Sequence, residues 1–319
     1  MSWIKVFAPA TVANVGPGFD VLGFAVSEPG DFVEVREIEK LKSNETAVTI
    51  TEITGDNGVL PKESDKNTAG IAALEVLRLL QEKNIIDSST SVEIKLHKNM
   101  PLGSGLGSSG ASAVAAAYAV NVLFGNKQEK KDLVPACMLG EKAACGAAHA
   151  DNVAPGMLGS FVLIRSYNPL DIIHLVAPED MVAVVVHPEY ELKTSLARAV
   201  LPKTVPLKDT INNCGNLAAI IAALYKNDIK LLGRAIDDKI VEPARAHLIP
   251  GFYGVKNAAL NAGAFGCSIS GAGPSIFAVT DNLTAGKQIG KAMQEAFKKN
   301  NLNSTIYVSK VNKEGAKVV

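Results

Sequence analysis

Cysteine, aromatic residues and net charge are all scarce in this sequence. It has only 4 cysteines in 319 residues, none of them in a C-x-x-C pair. We therefore expect reduced core thiols and neither a disulfide framework nor a zinc site. Aromatic residues make up 5% of the chain, and 32 basic residues balance 32 acidic ones. The missing basic excess argues against nucleic acid as a partner.

Long apolar runs and targeting segments are missing too. The longest apolar stretch, residues 111–124, is too short and too interrupted by polar residues to span a bilayer. The first residues, Met1-Ser-Trp-Ile-Lys-Val-Phe7, run directly into a strand-like pattern with no signal peptide. We expect a cytoplasmic protein that does not contact a membrane.

The hydrophobic pattern predicts two domains of mixed strands and helices, since 319 residues are many for one core. A change of pattern near Pro169 and Pro178 places the boundary between residues 1–172 and 173–319. In the first part we predict strands at 4–7, 32–38, 48–53, 92–96, 159–165 and 172–176, and helices at 67–82, 108–124 and 131–148. In the second we predict strands at 181–187, 267–270, 275–280 and 305–311, and helices at 195–200, 211–225, 229–241, 253–262 and 283–299. This second order favours an elaborated ferredoxin-like split β-α-β arrangement.

The most distinctive stretch is Pro101-Leu-Gly-Ser-Gly-Leu-Gly-Ser-Ser-Gly-Ala-Ser112, which we call the glycine-rich loop. It follows a predicted strand and leads into an Ala-rich helix, which Ser108 or Ser109 can cap. Glycines let backbone N–H groups turn towards a ligand, and a helix N-terminus carries partial positive charge. The stretch predicts a phosphate site; an ordinary capped helix start is the alternative.

Two well-known phosphate-binding loops have sequence signatures that can be compared with this stretch. The P-loop signature needs a lysine after its last glycine, and the stretch has none. Residues 105–110 match G-x-G-x-x-G, but the first glycine lies nine residues beyond Leu96 and the region near Lys130 leads into another helix. A dinucleotide-binding dehydrogenase therefore remains only an alternative.

The glycine-rich loop instead resembles the nucleotide loop of the GHMP small-molecule kinases, P-x-x-x-G-L-G-S-S-[A/G]-[A/S]. Two further stretches resemble that family's other motifs in the right order: an N-terminal motif, Pro9-Ala-Thr-Val-Ala-Asn-Val-Gly-Pro-Gly-Phe-Asp20, and a C-terminal motif, Ser270-Gly-Ala-Gly-Pro-Ser275. Three more segments are similar to the homoserine kinase branch of the family: residues 149–159, 194–202 and 242–251.

The resemblance implies an α+β fold of two domains. The first would be like domain 2 of ribosomal protein S5, and the second would be ferredoxin-like. It also implies transfer of the ATP γ-phosphoryl group to the hydroxyl of L-homoserine, giving O-phospho-L-homoserine in threonine biosynthesis. ATP and Mg²⁺ are the expected cofactors, and a homodimer is the family expectation.

The resemblance also assigns site residues. Phosphoryl transfer depends on positioning and charge neutralisation, and a loop without lysine leaves much of the countercharge to a metal. Glu141 and Ser109 are the expected Mg²⁺ ligands, although Glu141 could instead be a solvated helix residue. The residues expected to bind ATP are Pro101, Leu102, Gly103, Ser104, Gly105, Leu106, Gly107, Ser108, Ser109, Gly110 and Ala111.

The amino-acid substrate is expected to bind Asn14, Asp20, Asn152, Thr194, Arg198 and Arg245. The arginines suit its carboxylate and Asp20 its ammonium. Surface ion pairs are the alternative for the arginines, and helix capping is the alternative for Thr194.

Asn152 and Glu141 are the expected catalytic residues. Mevalonate kinase and galactokinase carry an aspartate, proposed as general base, at about the position of Asn152, which cannot accept a proton at neutral pH. We therefore expect a mechanism without a strong base. The roles of Asp151 and His149 stay open at this point.

Two other readings of the whole chain remain. The chain could be another GHMP kinase, of the mevalonate type, or a relative of diphosphomevalonate decarboxylase. Either protein would share the loop but bind a different substrate. A catalytically silent regulator would keep the fold without the reaction. The adenine contacts also stay open, between residues 57–67 and the region of Val92.

Overall fold

The structure is a computed structural model that describes residues 2–38, 47–146 and 148–319. Within the described part of the first half, the chain forms six strands and four helices. In chain order these are β1 (Ile4–Ala13), β2 (Leu22–Ile38), β3 (Val48–Thr54), α1 (Thr68–Glu82), β4 (Ser91–His97), α2 (Ser108–Leu123), α3 (Lys130–Cys145), α4 (Val153–Leu158), β5 (Phe161–Tyr167) and β6 (Leu170–Leu175).

The second half contains five strands and six helices. In chain order these are β7 (Val182–Pro188), α5 (Thr194–Ala199), α6 (Leu207–Lys226), α7 (Ile229–Ala235), α8 (Val241–Ala246), α9 (Phe252–Asn261), β8 (Gly266–Ile269), β9 (Ile276–Thr280), α10 (Leu283–Lys298), β10 (Ser304–Lys310) and β11 (Lys317–Val318).

The first sheet is organised around the long strand β2. Its second half lies between β1 and β4, and its first half pairs with β5, which continues to β6. All of these pairs are antiparallel, whereas β3 joins β4 in parallel. A strand of 17 residues is long enough to serve two sets of neighbours in this way.

Helix α2 is the centre of the first domain. Alanine and valine dominate its sequence, and it is buried on nearly every side, as expected of a helix that is apolar all round. It packs against α1, α3 and the strands β1 and β2. The core therefore holds the N-terminus of α2, and with it the glycine-rich loop, in a fixed position.

The second sheet has the antiparallel order β10-β7-β9-β8. With α9 between β7 and β8, and α10 between β9 and β10, this is a split β-α-β arrangement. The prediction of a ferredoxin-like second domain is confirmed. Helices α5 to α8 form an insertion between β7 and α9.

The N-terminal motif is more regular than its sequence suggests. We predicted a strand that ends near Phe7, but β1 continues to Ala13 and β2 begins at Leu22. Pro9 is tolerated because the β1–β2 register shifts between Pro9 and Thr11, and proline fits such irregularities. The short helices α4 and α8 were not predicted, and α7 is shorter than predicted.

The first sheet includes strands from both sides of the predicted domain boundary. The predicted division after residue 172 falls within β6, which is part of the first sheet. The end of the chain also returns to that sheet, where Val318 pairs with Val6 in β1. Among the described residues, no helix is long and apolar enough to cross a membrane.

Cysteine placement matches the expectation only in part. Cys137 and Cys267 are buried, and burial raises the pKa of both thiols. Cys214 is exposed on α6, so the prediction of a core position is wrong for this residue. Its helix buries only Ile220, Ala223 and Leu224, which leaves Cys214 outside the core.

Candidate active site

A cavity of about 400 Å³ lies where the two domains meet. Both domains contribute to its lining, and the predicted site residues are concentrated there. From the glycine-rich loop it is lined by Leu102, Gly103, Ser104, Gly105, Gly107, Ser108, Ser109 and Ser112, and from elsewhere its lining includes the predicted site residues Asn14, Asp20, Glu141, Asn152, Thr194, Arg198 and Arg245, together with His149 and Asp151. Pro101, Leu106, Gly110 and Ala111 belong to the loop but are not among the lining residues.

Glycine is required in the loop for a steric reason. Gly105 has a φ of +76°, and a Cβ added there would lie 2.4 Å from the carbonyl oxygen of Ser270 and 2.8 Å from that of Gly273. At Gly107, with φ +69°, a Cβ would lie 2.2 Å from the Thr11 hydroxyl oxygen. Only a residue without a side chain permits these close approaches.

The three motifs interlock through direct hydrogen bonds. The Ser270 hydroxyl of the C-terminal motif donates to the Gly105 carbonyl over 2.7 Å. The Thr11 amide of the N-terminal motif donates to the Leu106 carbonyl over 3.0 Å. Segments far apart in sequence therefore hold the glycine-rich loop from two sides.

The start of α2 differs from the prediction. Its N-cap is Gly107 in a left-handed conformation, with no side-chain capping bond, so the expectation that Ser108 or Ser109 caps the helix is wrong. Ser108 instead turns its hydroxyl towards Asp31, 3.4 Å away. The first-turn N–H groups are thus left without a side-chain cap, and such groups readily bind an anion.

A buried ion pair beneath the loop was missed by sequence reasoning. Lys98, almost fully buried, contacts the Asp31 carboxylate and donates to the Ser108 carbonyl and the Ser112 hydroxyl, each over 2.7 Å. Burial lowers the pKa of Lys98, and Asp31 opposes that shift. Nothing in the local sequence separates this lysine from an exposed one.

Glu141 lies on α3 and is buried, which contradicts the alternative of a solvated helix residue. Burial raises the pKa of its carboxyl, against a hydrogen bond from Ser109 and the charge of Lys98. Glu141 and Ser109 offer two oxygen donors beside the loop. Such a set fits Mg²⁺, which usually takes one or two protein ligands plus phosphate oxygens and waters. Among the described residues, no group of three or more His, Cys, Asp or Glu forms an all-protein metal cage.

At the other end of the cavity Asp20 and Arg198 form a bidentate ion pair. The two guanidinium nitrogens donate to the two carboxylate oxygens over 3.0 and 3.1 Å. Arg198 also lies 2.9 Å from Nε2 of His149. Burial lowers the pKa of His149, and the two nearby arginines add to this. A neutral His149 accepts from Arg198 through Nε2 and turns its Nδ1 towards Asp20, 3.6 Å away.

Arg245 is buried beside this pair. Its Nε donates to the Ala197 carbonyl over 2.9 Å, and one terminal nitrogen donates to the Gly271 carbonyl over 3.1 Å. Burial and the charge of Arg198 lower its pKa to about 10. Because Arg245 is buried and donates to two backbone carbonyls, the alternative of a surface ion pair is wrong for this residue, whereas Arg198 does form an ion pair, with Asp20. Two neighbouring guanidinium groups in a cavity suit a carboxylate.

Phe19 holds the two arginines and was not identified from the sequence. The guanidinium carbons of Arg198 and Arg245 lie 5.3 and 5.1 Å from its ring centroid. These distances are typical of cation–π contacts. Its position directly before Asp20 in the N-terminal motif was the only available signal.

Asn14 and Thr194 line the cavity in different ways. Asn14 has a φ of +55°; its Oδ1 accepts from the Asp20 amide over 2.8 Å, and its Nδ2 donates to the Gly271 carbonyl over 3.0 Å. It therefore ties the N-terminal motif to the C-terminal motif. Thr194 is the exposed first residue of α5, whose N-cap is Lys193.

Asn152 and Asp151 both line the cavity. Asn152 is the N-cap of α4, and its Oδ1 accepts from the Thr11 hydroxyl over 2.8 Å. Asp151 is buried, and its pKa is raised to about 7 by burial and by the negative charge of Asp20. Two adjacent residues thus contribute an amide and a carboxyl group to the lining of the cavity.

Comparison with known proteins agrees with these observations. The family model for the N-terminal domain of GHMP kinases matches residues 71–160, and that for their C-terminal domain matches residues 220–299. The homoserine kinase of Chlorobium phaeobacteroides (strain BS1) is 49% identical, with 100% of both chains covered. The homoserine kinase of Arabidopsis thaliana is 47% identical over 99% of this chain and 84% of its own.

A solved structure is similar over the whole chain. The crystal structure of homoserine kinase from Cytophaga hutchinsonii has 53% sequence identity and a TM-score of 0.93. The similarity covers 100% of this chain and 98% of that one. Both domains described above are therefore included in the match.

Proposed function

This chain belongs to the GHMP kinase family and, within it, to the homoserine kinases, and from that premise we propose that it transfers the γ-phosphoryl group of ATP to the hydroxyl of L-homoserine. The products are ADP and O-phospho-L-homoserine. The observation that carries the proposal is the single cavity that joins the glycine-rich loop to the Asp20–Arg198 pair and Arg245. One end suits phosphates, and the other suits a zwitterionic amino acid.

The nucleotide is proposed to lie along the glycine-rich loop. Its phosphates accept from the uncapped N–H groups of α2 and from the loop amides. Leu60, Pro61 and Thr68 line the cavity beyond the loop, which favours this segment over the region of Val92 for the adenine. Glu141 and Ser109 would hold the Mg²⁺ that accompanies the nucleotide. The bound metal neutralises phosphate charge during transfer.

The amino acid is proposed to bind with its carboxylate and ammonium groups between the two arginines and Asp20. Its carboxylate takes bidentate hydrogen bonds from Arg198 and Arg245. That contact draws Arg198 away from Asp20, which leaves Asp20 available to the ammonium group. Its far end, the hydroxyl, then points towards Asn152 and the phosphates.

Transfer is proposed to proceed without a strong base at Asn152. The Thr11 hydroxyl donates to Oδ1 of Asn152, so the amide of Asn152 presents its N–H groups to the acceptor oxygen. Positioning and charge neutralisation carry the reaction, and the hydroxyl proton leaves late.

A substrate panel tests the function directly. ADP formation with Mg²⁺ is measured with L-homoserine, mevalonate, galactose and L-threonine, and the phosphorylated product is identified by mass and phosphorus NMR. We expect rapid turnover with L-homoserine alone. Turnover with mevalonate only would place the chain among other GHMP kinases, and no turnover with any of them would support a silent regulator.

The setting of the enzyme is also proposed. We expect a cytoplasmic homodimer, on the basis of the family. Light scattering coupled to size exclusion should give twice the chain mass of 33.4 kDa. A monomeric mass at micromolar protein concentration would refute the predicted dimer and would not affect the proposed catalytic activity.

A further inference from the structure

Asp151 is a buried carboxyl group that the reaction described above does not use. The residue is 2% exposed, yet it is among those that line the active-site cavity. Its Oδ1 has no hydrogen-bond partner in the part of the chain that the structure describes. A buried acceptor without a partner is costly, so its retention beside a ligand cavity needs an explanation.

The surroundings of Asp151 are those of the amino-acid end of the cavity. Negative charge at Asp20 and Glu141 disfavours its ionised form, whereas Arg198 favours it. Burial and the charge of Asp151 raise the pKa of Tyr167, whose hydroxyl donates to the Asp20 carbonyl over 2.6 Å. His149 and Arg245 complete the titratable groups nearby.

The carboxyl groups of Asp20 and Asp151 differ in the hydrogen bonds that they accept. Both oxygens of Asp20 accept from Arg198, so Asp20 is occupied before substrate arrives. Oδ1 of Asp151 can accept a hydrogen bond from a ligand without first losing a partner among the described residues. A cation placed between the two would satisfy that acceptor and cancel the repulsion between the carboxylates.

We propose that Asp151 recognises the ammonium group of the amino-acid substrate together with Asp20, and so determines specificity for an amino acid over a simple hydroxy acid. This inference rests on the proposed function. It makes Asp151 a substrate-binding residue rather than a proton acceptor for the hydroxyl.

Binding of the substrate ammonium group should depend on pH. In the free protein Asp151 titrates near 7, because burial and Asp20 raise its pKa. Ammonium binding requires the ionised form, so KM for L-homoserine should fall as the pH rises through 7. The lowered pKa of His149 places its titration on the acidic side of this range.

The test pairs Asp151→Asn with a substrate that lacks the amino group. 4-Hydroxybutanoate keeps the carboxylate and the hydroxyl of L-homoserine. For L-homoserine the variant should lose about 10- to 100-fold in kcat/KM, mostly through KM, which is typical of a lost charge-assisted hydrogen bond. For 4-hydroxybutanoate it should lose less than about threefold, and the pH dependence of KM near 7 should disappear.

The control is Asp171→Asn, which changes an aspartate in β6 that pairs with Arg165; neither residue is among those that line the cavity. It should leave both substrates unaffected. An equal loss with both substrates in Asp151→Asn would show a structural role and overturn the inference. A loss confined to kcat, again with both, would make Asp151 a proton acceptor and overturn it too.

The same measurements separate this inference from the proposed function. If the wild-type protein forms no ADP from L-homoserine, the proposed function fails. Calorimetric titration of L-homoserine and 4-hydroxybutanoate into wild-type protein and Asp151→Asn then decides the inference alone. Preference of the wild type for the amine, lost in the variant, supports it; no such preference refutes it.

Discussion

Gly105→Ala should inactivate the enzyme because there is no room for the added Cβ atom. The new Cβ would lie 2.4 Å from the Ser270 carbonyl oxygen and 2.8 Å from that of Gly273. Both obstacles are backbone atoms, and neither can rotate away as a side chain would. The loop or the C-terminal motif must shift by about 1 Å to restore ordinary contact.

The expected magnitude has two parts. A left-handed alanine costs about 1–2 kcal/mol, and overpacking of this kind costs about 1–3 kcal/mol more. We therefore expect the free energy of unfolding to fall by about 2–5 kcal/mol in Gly105→Ala. A displacement of about 1 Å in residues that position a substrate lowers the rate about 100-fold, so kcat/KM for ATP should fall at least that far.

The assay combines urea unfolding with initial rates at varied ATP. Gly263→Ala is the matched control, since Gly263 also has a positive φ, +97°, but nothing lies within 4 Å of an added Cβ. It should lose stability through backbone strain alone and keep its KM for ATP. Wild-type kinetics in Gly105→Ala would refute the steric argument.

Three further predictions concern buried charges. Lys98→Met should lower the free energy of unfolding by about 3–5 kcal/mol because it leaves Asp31 buried without its cation. The control Lys313→Met, at an exposed ion pair, should change the free energy of unfolding by less than about 1 kcal/mol. Equal effects of the two variants in denaturant titration would contradict this prediction. Glu141→Gln should lower kcat about 100-fold and raise the Mg²⁺ concentration needed for half-maximal rate, and an unchanged Mg²⁺ requirement would exclude Glu141 as a ligand. In the folded protein the pKa of Asp151 is raised above its unfolded value to about 7, so its protonated form stabilises the fold at low pH and that contribution is lost as the pH rises. The stability of Asp151→Asn relative to wild type should therefore grow by about 2–3 kcal/mol between pH 5 and pH 8; a constant difference would mean that Asp151 is ionised throughout.

Local backbone chemistry explains what could be read from the sequence. The glycine-rich loop needs residues without side chains at fixed spacings, and such a requirement is visible in the sequence alone. The alternation in the strands and the helical spacing in residues 67–82 are similarly local. The end of β1 was misjudged because a register shift near Pro9 accommodates a residue that usually ends a strand.

The sequence by itself determined the loop and the order of the three motifs, and through the family resemblance it predicted Glu141, Arg198 and Arg245 as site residues. It did not reveal that Asp20 is already paired with Arg198, because that contact joins residues 178 positions apart.

Only the tertiary structure brought Lys98 and Asp31 under the loop, 67 positions apart, and buried them. It also left Asp151 buried, with an acceptor that has no partner among the described residues. The physical reason is that burial and charge pairing are set by which distant segments meet, whereas a glycine's conformational freedom belongs to the residue itself.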